Sequence, residues 1–270
     1  MTWIDFPYYA FGIITCWVIG MVILIYSYKK KSLTKLALGM FIIGTLIQAV
    51  FILNLWQTLE RPPLRTLGET RLWYSFFTPL IGYFVYIKWR YKWLLLYSFS
   101  VGILFLIINY VSPETYNKSL MPALVSPWFV PHVLVYLFAY AILSASFFVA
   151  LKAFFDLKKR DDTKNTENLH LADNLVYLGI GFLTLGLLFG ALWAKEAWGH
   201  YWAWDPKEIW AFLTWMGYLL YIHQRIYQPK KTKQALIFLT FGFIILMICW
   251  FGVNYLPVAQ TSVHTYTQQP

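Results

Sequence analysis

The residues of this sequence best suited to chemistry are tryptophans and histidines. Six of the fourteen tryptophans, Trp193, Trp198, Trp202, Trp204, Trp210 and Trp215, fall within 23 consecutive positions. An interfacial aromatic belt would spread its indoles over the ends of all membrane spans. Here five of the six are concentrated in one run, W-A-K-E-A-W-G-H-Y-W-A-W-D-P-K-E-I-W, from Trp193 to Trp210. Clustered indoles offer a wide, flat, apolar surface that suits a planar macrocycle. His132 and His264 fall on the same side of the membrane as that surface in the topology derived below. Two neutral imidazoles flanking one aromatic platform have the chemistry for bis-axial ligation of haem iron. His223 is seventeen positions beyond Pro206, about 25 Å along a helix, so one haem cannot reach both levels. A histidine inside a span is a functional candidate in its own right. His200 reads as a hydrated loop residue, and His170 as the start of a helix.

The end of the tryptophan run has its own local logic. Asp205 suits an N-cap, Pro206 the first helical position, and Glu208 the third position of a capping box. The free N–H groups and positive dipole of such a helix start can also receive a carboxylate, a haem propionate among them.

The elements that must position these residues follow from composition. Of 270 residues, 59% are hydrophobic, 21% aromatic and only 13% charged, against roughly 25% charged in a soluble domain. The composition defines an all-α polytopic membrane protein. Stretches of about 20 apolar residues, the length that crosses a bilayer core, occur near 7–28, 36–55, 73–88, 93–111, 131–151, 171–192, 209–227 and 235–254. Eight helices in a single membrane domain spanning 1–270 are therefore expected, the third being the shortest.

Lys29, Lys30 and Lys31 follow the first span, and only Asp5 precedes it. That is the reverse of a signal peptide's charge order. The rule that Lys and Arg are retained inside puts both termini outside the cytoplasm. Sixteen bases and five acids then fall inside, a net +11, while six bases and seven acids fall outside, a net −1. The overall charge of +10 is accounted for by orientation, which removes the case for nucleic-acid binding. The segments expected outside are 56–72, 112–130, 193–208 and 255–270, and the inner run from Asp156 to His170 reads as a solvated charged hairpin.

Cys16 and Cys249 lie in apolar spans and form no C-x-x-C pair, which argues against thiol redox chemistry. No C-x-x-C-H or G-x-x-x-x-G-K-[ST] motif occurs, so the chain is neither a c-type cytochrome nor an ATP-driven pump by itself. Gly186 and Gly190 form one G-x-x-x-G, a sign of close helix packing.

W-G-H-Y-W-A-W-D-P-K-E-I-W resembles the tryptophan-rich "WWD" signature of haem-handling proteins in cytochrome c maturation. W-D-P-K-E followed by L-T-W-M-G-Y-L-L-Y-I-H-Q-R is similar to the CcsA (ResC) branch of the system II cytochrome c synthase, over about residues 56–270. The resemblance implies haem b as cargo, held at Trp198, Trp202, Trp204 and Asp205. It implies axial ligation by His132, in a W-x-x-x-H-V context, and by His264, in an H-[ST]-Y context. Pro257 to Val263 is a longer link than the family's usual one. The family's intramembrane histidine, in an H-x-R setting, matches His223 and Arg225, and Glu69 with Thr70 match its acid-hydroxyl pair after a Pro-containing loop.

One histidine inside a span cannot supply bis-histidine ligation there. The resemblance assigns the second ligand to a CcsB (ResB) type membrane partner. Apocytochrome c is the implied acceptor of haem, and a thiol-reducing protein a further partner. The chain then acts as a subunit of a cytochrome c synthase, or haem lyase, with no catalytic acid or base of its own. The alternative is a haem carrier similar to the CcmC branch, which passes its cargo to a chaperone without attaching it. A bacterial plasma membrane is the expected location, with the thylakoid as the other option.

Overall fold

The computed structural model describes residues 2–116, 126–158 and 162–257. Among them are eight α-helices and no strand: α1 (Phe6–Tyr26), α2 (Leu33–Leu59), α3 (Leu67–Trp89), α4 (Lys92–Val111), α5 (Phe129–Lys158), α6 (Asp162–Trp198), α7 (Pro206–Tyr227) and α8 (Thr232–Trp250). Short 3-10 turns follow α4 and α8, at Pro113–Thr115 and Gly252–Tyr255. Each helix coincides with one expected span. Six are long and apolar enough to cross a membrane. The other two, α3 and α7, dilute their apolar residues with charge: Glu69, Arg71 and Lys88 in the first, Lys207, Glu208 and Arg225 in the second. Large apolar side chains face outward, such as Ile237, Phe241 and Ile244 along one stripe of α8, as a lipid solvent requires.

The helices group into two compact units, Met1–Leu120 and Met121–Pro270. In the first, α1 packs on α2 and α4, and α3 on α2 and α4, closing a four-helix ring. Its centre is aromatic, with Phe41 stacked on Phe99 at 3.9 Å and the edge of Trp17 on Phe99 at 5.1 Å. Gly44 makes this possible, since a Cβ there would meet the Trp17 indole at 2.5 Å. Gln48 of α2 donates to Ser75 Oγ of α3 at 2.6 Å, and Asn109 of α4 donates to the Gly68 carbonyl at 2.9 Å. Lys92 fastens the α1–α2 connection through Ser27 and Thr34.

The second unit repeats the ring: α5 packs on α6 and α8, and α7 on α6 and α8. Small residues line α5, with Ala139, Ala141, Ala145, Ala150 and Ala153 all buried. The face of Phe147 lies on Phe243 of α8 at 4.2 Å. Gly217 and Gly242 bring α7 and α8 together so closely that a Cβ on Gly217 would meet the Gly242 Cα at 3.3 Å.

Two expectations need correction. Asp156–His170 is not an open hairpin: α5 runs on to Lys158 and α6 begins at Asp162. Asp156 is buried and accepts from Lys152 one turn earlier in α5 at 3.0 Å and from Asn168 of α6 at 2.8 Å, so its charge is paired within α5 and hydrogen-bonded across to α6 instead of solvated. Residues 193–198 likewise belong to α6, because Ala194, Lys195, Glu196 and Ala197 are good helix formers. Gly199, with φ +84°, ends the helix in the left-handed conformation that glycine adopts freely. Lys195 Nζ caps it by donating to the Gly199 carbonyl at 2.8 Å. The connection between α6 and α7 is only residues 199–205.

Candidate functional site

His132 lies in the first turn of α5 and is half-buried. Its Nδ1 is 2.8 Å from the Gly186 carbonyl of α6. A carbonyl only accepts, so Nδ1 is the donor, and in the neutral form of the ring Nε2 is the nitrogen with the lone pair. This is the orientation that a ligating imidazole needs from its surroundings. Tyr136, one turn further on, meets the imidazole edge to face at 4.8 Å, and Trp193 stacks on it at 5.5 Å. Glycines of α6 form the socket. A Cβ at Gly190 would stand 2.7 Å from His132 Cε1, and one at Gly186 would stand 3.0 Å from the Tyr136 ring. The G-x-x-x-G read as helix packing thus receives a histidine and a tyrosine from α5.

The tryptophans form two linked groups. Trp193 is buried, packing on Phe129 at 5.3 Å and against Trp198 at 4.8 Å. Trp202 and Trp204 of the connection meet edge to face at 5.8 Å, and Trp204 continues to Phe212 of α7. Trp215 Nε1 donates to Thr184 Oγ1 at 2.9 Å, tying α7 to α6 below the connection. The Trp202 indole N–H is shielded from solvent and has no acceptor among the described residues.

The start of α7 matches the expected capping box. Asp205 Oδ1 accepts from the Lys207 N–H at 3.0 Å, and Glu208 Oε2 accepts from the Asp205 N–H at 3.1 Å. The Asp205 carboxylate is therefore engaged in starting the helix.

His223 sits near the other end of α7. Its ring is exposed and contacts Tyr227 at 4.3 Å. Arg225, two positions on, projects from nearly the opposite side of the helix. It forms a two-point ion pair with Asp173 of α6, Nε to Oδ1 at 2.8 Å and Nη2 to Oδ2 at 2.7 Å. Tyr221 donates to the same carboxylate at 2.6 Å. Asp173 thus anchors α7 and leaves His223 facing outward. Sequence reasoning missed Asp173; its signal was an acid inside an otherwise apolar stretch of α6. His264 falls outside the described residues. His200 is exposed in the α6–α7 connection, and His170 is exposed in α6.

Glu69 of the first unit is almost wholly buried. It receives both Arg61 guanidinium nitrogens, at 2.9 and 3.0 Å, and the N–H groups of Arg65 and Thr66. Burial and the neighbouring Arg61 push Arg65 below the usual arginine range, with Glu69 opposing them. The residues matched to an acid-hydroxyl pair both make local contacts: Glu69 gathers the preceding loop, and Thr70 donates to the Leu67 carbonyl.

These features define a class: a polytopic helical membrane protein with an imidazole set in a glycine socket beside a tryptophan-rich helix connection. The model of the family described as cytochrome C assembly protein matches residues 6–259. The chain belongs to that family, which carries a role in cytochrome c biogenesis. It is similar to the protein named cytochrome c biogenesis protein CcsA from Cuscuta reflexa, 32% identical over 89% of this chain and 88% of the relative. The protein of that name from Chlamydomonas reinhardtii is 30% identical over 92% of this chain and 72% of its own length. The one from Prochlorococcus marinus (strain MIT 9301) is 29% identical over 88% and 86%.

Proposed function

We propose that the chain handles haem b for cytochrome c maturation, presenting it at the extracytoplasmic end of the second unit. The observation that carries this proposal is the His132 socket. The contact with the Gly186 carbonyl selects the tautomer protonated on Nδ1, in which Nε2 is the nitrogen that would ligate iron, beside the indoles of Trp193 and Trp198. His264, from the carboxy-terminal tail, supplies the second axial ligand. Trp198, Trp202 and Trp204 provide the apolar platform, the Trp202 N–H offers a donor to the cargo, and the α7 start at Asp205 lies beside it.

His223 takes haem at the cytoplasmic side. Its ring faces outward with no second histidine beside it among the described residues, which suits a CcsB (ResB) type partner supplying the other intramembrane ligand. Both termini lie outside the cytoplasm, and the chain acts as one membrane domain in a bacterial plasma membrane or a thylakoid. At the outer site, reduced haem is offered to the C-x-x-C-H thiols of apocytochrome c. Each thiol adds across a haem vinyl: a carbon–sulfur bond forms, and the thiol proton ends on the neighbouring vinyl carbon. A thiol-reducing protein keeps the acceptor cysteines reduced. The contribution of this chain is position and axial ligation.

The complex purified with its partner should show b-type haem absorbance. His132→Ala should lower it, with partial recovery in imidazole, and His223→Ala should reduce loading of the outer site. Unchanged haem content and ligation in both His132→Ala and His264→Ala would overturn the outer-site assignment.

A further inference from the structure

Three described residues other than glycine have a positive φ: Glu60, Arg90 and Trp204. Glu60 and Arg90 end α2 and α3, where a left-handed residue is the usual way to stop a helix. Trp204, with φ +58°, follows no helix; it immediately precedes an N-cap. Nor does it earn this conformation by filling the interior, since the indole is 63% exposed. A bulky residue held there is strained and needs a local cause.

Glu208 supplies that cause. Its Oε2 accepts from the Ala203 N–H at 2.8 Å and from the Asp205 N–H at 3.1 Å. These donors stand on either side of Trp204. An ordinary capping box explains only the second bond; the first reaches past the cap and closes a loop around one residue. Glu208 is buried, so both bonds are charge-assisted and sheltered from water, which strengthens them. Among the described residues no Lys or Arg forms an ion pair with this carboxylate, and backbone N–H groups are its hydrogen-bond partners.

We propose that Glu208 is a positioning residue whose carboxylate clamps the backbone on both sides of Trp204 and thereby holds the exposed indole in the cargo platform. Its effect on haem rests on the haem reading above, whereas the clamp itself does not. The test compares Glu208→Ala, Glu208→Gln, Trp204→Ala and the Glu208→Ala/Trp204→Ala double variant in the complex with its partner. Two readouts are taken: hydrogen exchange at the Ala203 and Asp205 amides, and the b-type haem spectrum.

Glu208→Ala should speed exchange at both amides about tenfold and lower outer-site haem to the Trp204→Ala level. Glu208→Gln keeps a carbonyl acceptor but not the charge and should fall between the parent and Glu208→Ala in both readouts. The double variant should hold no less haem than Trp204→Ala. Unchanged exchange in Glu208→Ala overturns the clamp. Faster exchange with unchanged haem, or losses that multiply in the double variant, overturns its role in presenting Trp204. A parent complex without haem would remove the haem reading and with it that role, leaving the clamp to be judged by exchange alone.

Discussion

In both units the third helix of the ring starts at a capping box whose glutamate is buried, Glu69 for α3 and Glu208 for α7. Each carboxylate gathers backbone N–H groups from the connection before it. They differ in what else arrives. Glu69 receives Arg61 in a two-point pair, its charge is matched, and the 60–66 connection closes over it. Among the described residues Glu208 receives no guanidinium, and the 199–205 connection carries a left-handed tryptophan and an indole N–H without an acceptor. The same local device seals one unit and leaves the other with strain and an unused donor. All five histidines lie in the second unit's part of the chain. The residues proposed to hold haem all fall in that part of the chain as well.

The sharpest way to break this comparison is to remove both carboxylates. Glu69→Ala leaves Arg61 only the Pro62 carbonyl at 3.1 Å and takes the acceptor from two backbone N–H groups, and should cost about 3–5 kcal/mol, the usual cost of breaking a buried ion pair. Glu208→Ala loses two hydrogen bonds but strands no charge, and should cost about 1–3 kcal/mol. Thermal unfolding of the two variants in one detergent measures the difference; equal losses would erase the distinction between the two starts. Next in size is Asp173→Ala, which strands Arg225 and the Tyr221 hydroxyl at the far end of α7. Arg225 keeps the Pro229 carbonyl at 2.9 Å, so about 3 kcal/mol is expected, the low end for a buried pair. His223 contacts neither group and should remain chemically competent, which ethoxycarbonylation of its exposed ring by diethyl pyrocarbonate can check.

Gly190→Ala should have a smaller effect on stability and a larger one on the site. The new Cβ would stand 2.7 Å from His132 Cε1, so the imidazole must leave its socket. Overpacking of this kind costs about 1–3 kcal/mol. Haem retention should fall more than the melting temperature indicates, with imidazole restoring part of it. The matching change in the first unit, Gly44→Ala, also forces an indole aside, Trp17 at 2.5 Å, and should lower stability without a separate effect on haem.

The eight helices were legible because a run of apolar residues long enough to cross a bilayer needs no partner to be recognised. Their ends were not. Ala194 to Ala197 continue α6 because helix propensity outlasts the apolar run, and Asp156 is buried because Lys152 reaches it from the preceding turn and Asn168 from the facing helix α6. The Asp205–Glu208 capping box could be read directly, being a contact over three residues. The Asp173–Arg225 pair spans 52 positions and exists only once α6 and α7 pack. Gly186 and Gly190 signalled close approach, but nothing in their spacing said that a histidine occupies the notch. The left-handed Trp204 was hidden for another reason: positive φ is ordinarily announced by glycine or asparagine, and here a side chain four residues later imposes it.

The smallest expected effect tests where the two rings are tied between their second and third helices. In the first unit the tie is Gln48 to Ser75, fully buried. In the second it is Trp215 to Thr184, and the indole is half-buried. Thr184→Val keeps the shape and removes the acceptor. Thr184 also donates to the Ile180 carbonyl at 2.8 Å, but that carbonyl lies within the helix ladder and loses little. The cost should be about 1 kcal/mol, set by one indole N–H left unpaired beside lipid. Gln48→Leu should cost more, because Ser75 then keeps only its own α3 carbonyl in a site closed to water. If Thr184→Val leaves the melting temperature nearly unchanged yet broadens the haem absorbance, the second tie serves the register of the platform rather than the stability of the ring. A loss equal to that of Gln48→Leu would instead make the two ties equivalent and limit the division of labour to the helix starts.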